Sequence, residues 1–167
     1  MSVALVLVHD HDLYRQGLRL LLEGQEDFRV IGEAAGGLEA LQLVQALQPN
    51  ILVLDLVPVE LSGLEVARQV RRQTPGTHVV MLSAYTDVGY IAEALRSGVI
   101  GYVLRQSSTA SLLQAVREAN AGRRYLSPPL SDAPIQVYGT RSDRPLRDPY
   151  ETLTARKPEV LDLAAGG

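Results

Sequence analysis

Asp55 stands where a buried strand should end. It follows the unbroken apolar run Ile51-Leu52-Val53-Leu54, which a Pro49-Asn50 turn signal precedes. Such a run fits a strand covered on both faces, as parallel sheets require. A carboxylate at its end sits at the C-terminal rim of the sheet, where open α/β folds hold their ligands. Other reactive groups fall at similar junctions. His9-Asp10-His11-Asp12 follows a first apolar segment, Ser83 a fourth and Arg105 a fifth. Two carboxylates, a hydroxyl and a guanidinium could therefore meet at one rim. Asp10 is also placed to cap the helix that follows it. His9 and His11 read first as polar loop residues, because a histidine pair beside one Asp is a weak transition-metal signal.

The elements that must bring these groups together are legible in the periodicity. Ser2 to Val8 reads as a strand, and Leu13, Gly17, Leu18, Leu21 and Leu22 recur at helical spacing up to Gly24. Arg29 to Ala34 is a second strand. A helix with Leu38, Leu41, Val44 and Leu47 on one face then runs to Pro49. After the strand ending at Asp55 comes a helix over Leu64 to Gln73, stopped by Thr74-Pro75-Gly76. His78 to Leu82 and Gly101 to Leu104 are the fourth and fifth strands. Asp87 to Ser97 is the helix between them, and Ser108 caps a last helix to Ala121. Strands alternating with helices imply right-handed parallel βαβ units. The expectation is an α/β fold with a five-stranded parallel doubly wound sheet of flavodoxin type, strand order 2-1-3-4-5. That order makes the first and third strands neighbours, so His9, Asp10 and Asp55 meet, with Ser83 and Arg105 arriving from the next two.

Composition narrows the class. The chain has 167 residues, 46% of them hydrophobic, and no cysteine, which excludes a disulfide framework and a Cys-based zinc site. A net charge of -3 provides no overall basic footprint for nucleic acid. No apolar run reaches the roughly 18 to 20 residues of a membrane span, and the apolar start lacks a basic leader region. A cytoplasmic location and no membrane association are expected. After Tyr125 the character changes. Prolines 128, 129, 134, 145 and 149 and scattered charges mark residues 127–152 as a linker, and a helical pattern resumes over 153–167.

The segments HDHDLYRQGLRLLL, LDLVPVELSGLEV, VVMLSAYTD and SGVIGYVLRQSSTASLLQAVREANAGRRYLSP together resemble the receiver domain of two-component response regulators of the LuxR/NarL-like type. The resemblance covers roughly residues 3–128 and assigns residues 1–126 to a receiver domain. LTARKPEVLDLAAGG at 153–167 resembles the opening helix of a LuxR-type helix-turn-helix domain, without its turn or recognition helix. The resemblance implies a non-enzymatic transcription-regulator module that accepts a phosphoryl group on Asp55 from a sensor histidine kinase. It implies Mg²⁺ held by Asp10, Asp55 and the backbone carbonyl of Val57. Ser83 and Arg105 would bind phosphoryl oxygens, and Ser83 and Tyr102 would switch the face made by the fourth helix, fifth strand and fifth helix. Related receivers often pair through helix faces, so the resemblance also allows a homodimer. DNA would be reached only through the helix-turn-helix.

The chain departs from that family pattern at the site. His9 replaces a second acidic residue, and neutral imidazole is a poor ligand for a hard cation, which implies weaker Mg²⁺. Arg105 replaces Lys; it keeps the charge but is planar and bidentate. Pro58 is displaced by one residue from the usual loop proline. These departures leave an alternative open, a phosphorylation-independent pseudo-receiver that acts as a protein-interaction module. A phosphohydrolase of the aspartyl-phosphate type would want an acid where Val57 stands. A flavodoxin would want a hydroxyl- and glycine-rich cradle after the first strand.

Overall fold

The protein is described here by a computed structural model covering residues 2–55 and 61–132. Val57, Pro58, nearly all of the linker and the helical pattern at 153–167 lie outside the described residues. The order is β1 (Val3–His9), α1 (Asp12–Glu23), β2 (Phe28–Ala34), α2 (Gly37–Leu47), β3 (Ile51–Asp55), α3 (Gly63–Gln73), β4 (His78–Ser83), α4 (Val88–Arg96), β5 (Val99–Leu104), α5 (Thr109–Asn120) and β6 (Tyr125–Leu126). All strands pair in parallel, in the order β2-β1-β3-β4-β5-β6. The expected 2-1-3-4-5 order is therefore present. Among the described residues the sheet has six strands rather than five, because Tyr125 and Leu126 pair with Gly101 and Tyr102 on the open edge of β5. A two-residue strand has too little periodicity to be read from sequence.

The period-2 alternation of each strand builds two cores. Leu5, Leu7, Ile51, Val53, Val80, Leu82 and Val103 face α1 and α5, against Leu22, Leu112, Ala115, Val116 and Ala119. Val6, Val8, Leu52, Leu54 and Met81 face α2, α3 and α4, against Val44, Leu64, Ala67, Val70, Ile91 and Leu95. Burial on both faces is why β1 and β3 are apolar without interruption. Full burial of each such side chain contributes about 1.5–3 kcal/mol.

Two helix faces differ from expectation. Leu13 is 88% exposed and Leu38 50% exposed. α1 turns Leu18, Leu21 and Leu22 inward, which leaves Leu13, in its first turn, in solvent. α2 buries Ala40 and Val44 instead of Leu38.

Caps set the entry of the last three helices. Ser62, Asp87 and Ser108 each accept the backbone N–H three residues on, at 3.1, 3.1 and 3.2 Å. α4 ends at Gly98 with φ +110, where a side chain would also meet Arg71 Cδ at 3.0 Å. α1 has no side-chain cap, its N-cap being His11. The capping role open to Asp10 is thus not taken up.

Candidate functional site

Register places the site. In the β1–β3 ladder His9 lies opposite Asp55. β4 and β5 end level, with Ser83 opposite Leu104, and the Arg105 N–H donates to the Ser83 carbonyl at 2.9 Å. Four parallel strand ends thus deliver His9, Asp55, Ser83 and Arg105 to one rim.

Asp55 is fully buried. Arg105 spans to it from the loop after β5: its Nε donates to Asp55 Oδ1 at 3.1 Å, and its Nη2 makes a second, shorter bond to the same oxygen. The other oxygen, Oδ2, is buried and has no hydrogen-bond donor; His9 Nε2 lies 3.6 Å from it. Burial pushes the Asp55 carboxyl above its usual range, and the Arg105 hydrogen bonds and charge offset that only in part.

His9 links the two carboxylates. Its Nδ1 lies 3.5 Å from Asp10 Oδ1 and accepts the His11 backbone N–H at 2.8 Å. An accepting Nδ1 puts the ring proton on Nε2, facing Asp55. Burial holds His9 below the usual histidine range, against the pull of Asp55 and Asp10. The ring is stacked on Tyr14, centroids 4.2 Å apart at 10°. Arg15 Nη1 donates to the His9 carbonyl at 2.6 Å while its Nε holds Glu33 on β2. The loop read as polar is thus a rigid junction, and His9 is its buried member. Asp10 Oδ1 is also buried without a donor.

Ser83 is engaged elsewhere. Its Oγ accepts the Tyr85 N–H at 3.0 Å and lies 2.9 Å from Tyr102 Oη, which is 2.8 Å from the Tyr85 carbonyl oxygen. The phenol has one proton, and the carbonyl can only accept. The phenol therefore donates to Tyr85, and the Ser83 proton fills the Ser83–Tyr102 contact. Tyr102 is fully buried, its hydroxyl turned toward Ser83 and the Tyr85 carbonyl. Burial holds its hydroxyl far above the ordinary phenol range.

Two buried, donor-free carboxylate oxygens, on Asp10 and Asp55, suit a hard cation that takes oxygen ligands and keeps waters. The residues present fit Mg²⁺, with one fewer carboxylate than the family pattern. Tyr14, Arg15 and the Tyr85 carbonyl were not foreseen; their contacts cross elements and leave no local signal.

The model of the response regulator receiver domain matches residues 5–117. The chain belongs to the response regulator receiver family. This receiver is 34% identical to the oxygen regulatory protein NreC of Staphylococcus carnosus over 167 residues, covering 98% of this chain and 77% of that protein. It is 30% identical to the transcriptional regulatory protein LiaR of Bacillus subtilis, over 99% and 77% of the two chains. A LuxR-family response regulator structure from Aurantimonas superposes with TM-score 0.75 at 31% identity, over 79% of this chain and 94% of the other. The signal receiver domain of NarL from Mycobacterium tuberculosis superposes at 0.70 and 32%, over 73% and 98%. The receiver is thus of the LuxR/NarL type, from a group of two-component transcription regulators. None of these likenesses supports the phosphorylation-independent alternative. Among the described residues no helix is long and apolar enough to cross a membrane.

Proposed function

We propose that the receiver takes a phosphoryl group on Asp55 from the phosphohistidine of a sensor histidine kinase in the cytoplasm. The observation that carries this reading is the division of labour on one carboxylate. Arg105 ties Oδ1, and Oδ2 keeps its lone pairs without a donor. Oδ2 attacks phosphorus, the P–N bond breaks with its electron pair going to the kinase imidazole, and an acyl phosphate forms on Asp55. Arg105 stays beside the new group and pairs with one of its oxygens. Asp10 and Asp55, with the Val57 carbonyl, would hold Mg²⁺, which when bound neutralises charge developing on the phosphoryl oxygens. Ser83 supplies a hydroxyl to another oxygen once its proton leaves Tyr102. That release alters the Tyr85 loop and Tyr102, and with them the face made by α4, β5 and α5.

This face is the output: it pairs two copies of the receiver and so positions a helix-turn-helix domain that residues 153–167 open. The relatives' names, a transcriptional and an oxygen regulatory protein, support a DNA-directed output. Regulation rather than turnover of a small substrate is the activity. The test is incubation with acetyl phosphate and Mg²⁺, followed by intact-mass analysis. A gain of one phosphoryl group, absent in Asp55→Asn, supports the reading. No modification, or modification unchanged in Asp55→Asn, overturns it.

A further inference from the structure

We propose that His9, Asp10 and His11 form a site for a divalent transition-metal ion of the Zn²⁺ class, and that filling it withdraws Asp10 from Mg²⁺. The second half rests on the function proposed above; the first does not. One ligand atom from each of the three residues lies within 4.8 Å of the others. Asp10 Oδ1 is 3.5 Å from His9 Nδ1 and 3.6 Å from His11 Nδ1. Metal–ligand bonds of about 2.0–2.2 Å in a tetrahedron put ligand atoms about 3.4 Å apart. The two measured edges are close to that spacing.

The shared corner, Asp10 Oδ1, is buried and has no hydrogen-bond donor. It faces an imidazole nitrogen that is itself an acceptor. Asp10 Oδ1 is the acceptor left without a donor, and a cation beside it supplies the positive charge it lacks. Two imidazoles and one carboxylate suit zinc, nickel or copper, whereas Mg²⁺ wants oxygen alone. The His9 ring is held in place by its stack on Tyr14. The His11 side chain is 74% exposed, so an ion can arrive from solvent and a water can complete the tetrahedron. Ligation at His9 Nδ1 requires the His11 N–H to give up its 2.8 Å hydrogen bond to that nitrogen. An ion held here takes the oxygen that the Mg²⁺ reading assigns to Asp10.

The experiment uses the full chain and Zn²⁺ alone, titrated by calorimetry and against a chromophoric zinc chelator. One ion per chain is expected, with affinity in the micromolar range or tighter. His11→Ala, an exposed position whose loss leaves the core intact, should weaken binding at least tenfold. Asp55→Asn, which changes only a neighbour of His9, should weaken it far less than His11→Ala does. Affinity weaker than millimolar, or equal affinity in His11→Ala, or loss instead in His78→Ala, overturns the site. In a second arm, one equivalent of Zn²⁺ should slow acetyl phosphate modification of Asp55 in Mg²⁺ severalfold, with full relief in His11→Ala. Zinc binding without that slowing overturns the competition. Absence of modification without zinc counts against the phosphoacceptor reading and leaves the calorimetry to decide the metal site.

Discussion

Ser83 Oγ and Tyr102 Oη lie 2.9 Å apart, and the single serine proton is committed to the phenol. The phosphoryl-binding hydroxyl and the buried tyrosine are therefore in competition for one hydrogen bond. A group arriving on Asp55 must draw the Ser83 proton away from Tyr102. Tyr102→Phe removes that competitor. The variant should lose about 1–2 kcal/mol of stability, because the buried hydrogen bond from the phenol to the Tyr85 carbonyl is lost. Acetyl phosphate should nevertheless modify Asp55 faster. Denaturant melts and a modification time course measure the two effects, and slower modification in a folded Tyr102→Phe would contradict the competition.

Asp55 is a buried carboxylate paired with an Arg105 side chain that is 35% exposed. Replacing it with Asn removes a charge whose desolvation outweighs the pairing, while solvent reaches the released guanidinium. Asp55→Asn should therefore stabilise the receiver at neutral pH and raise its urea midpoint. A lower midpoint in urea would show that pairing with Arg105 stabilises the fold by more than burial of the charge costs it.

His9→Asp supplies the acidic group that the family pattern carries and this chain lacks. A third carboxylate should tighten Mg²⁺ by about tenfold, roughly 1.4 kcal/mol. The Mg²⁺ concentration giving half-maximal modification of Asp55 reads this directly. An unchanged or higher concentration would mean that His9 does not limit the metal.

Glu33 ties α1 to β2 through Arg15 and Arg19. Burial works to raise its carboxyl, but hydrogen bonds from both arginines outweigh it and hold the group below the usual glutamate range. A depressed acid stabilises the fold above its unfolded value, and that contribution is lost as pH falls through the folded one. The stability gap between the wild-type chain and Glu33→Gln should therefore be constant at neutral pH and shrink below about pH 4.5. Thermal melts from neutral to acidic pH provide the comparison, and a gap that widens on acidification would refute the sign.

Much of the fold could be read directly. Continuous apolar runs such as Ile51 to Leu54 can be satisfied only by a sheet covered on both sides, and the alternation of runs with helical spacing leaves little topological choice. That topology alone carries Asp55, Ser83 and Arg105 to one rim. The faces of α1 and α2 were less legible. Leu13 and Leu38 carry the right period, but which side of a helix meets the sheet depends on how it crosses, and period alone does not encode that. β6 escaped because pairing at an open edge needs only a free ladder, not a pattern.

The amino-acid sequence by itself determined the strand order and the chemical groups carried to the C-terminal rim, since period and residue type are local properties. Only the tertiary structure decided how those groups share their protons and charges. Arg105 holds one oxygen of Asp55, His9 stands between two carboxylates, and Ser83 gives its proton to Tyr102. Such pairings depend on distances of a few ångströms between segments far apart in the chain, and those distances exist only once the sheet has formed.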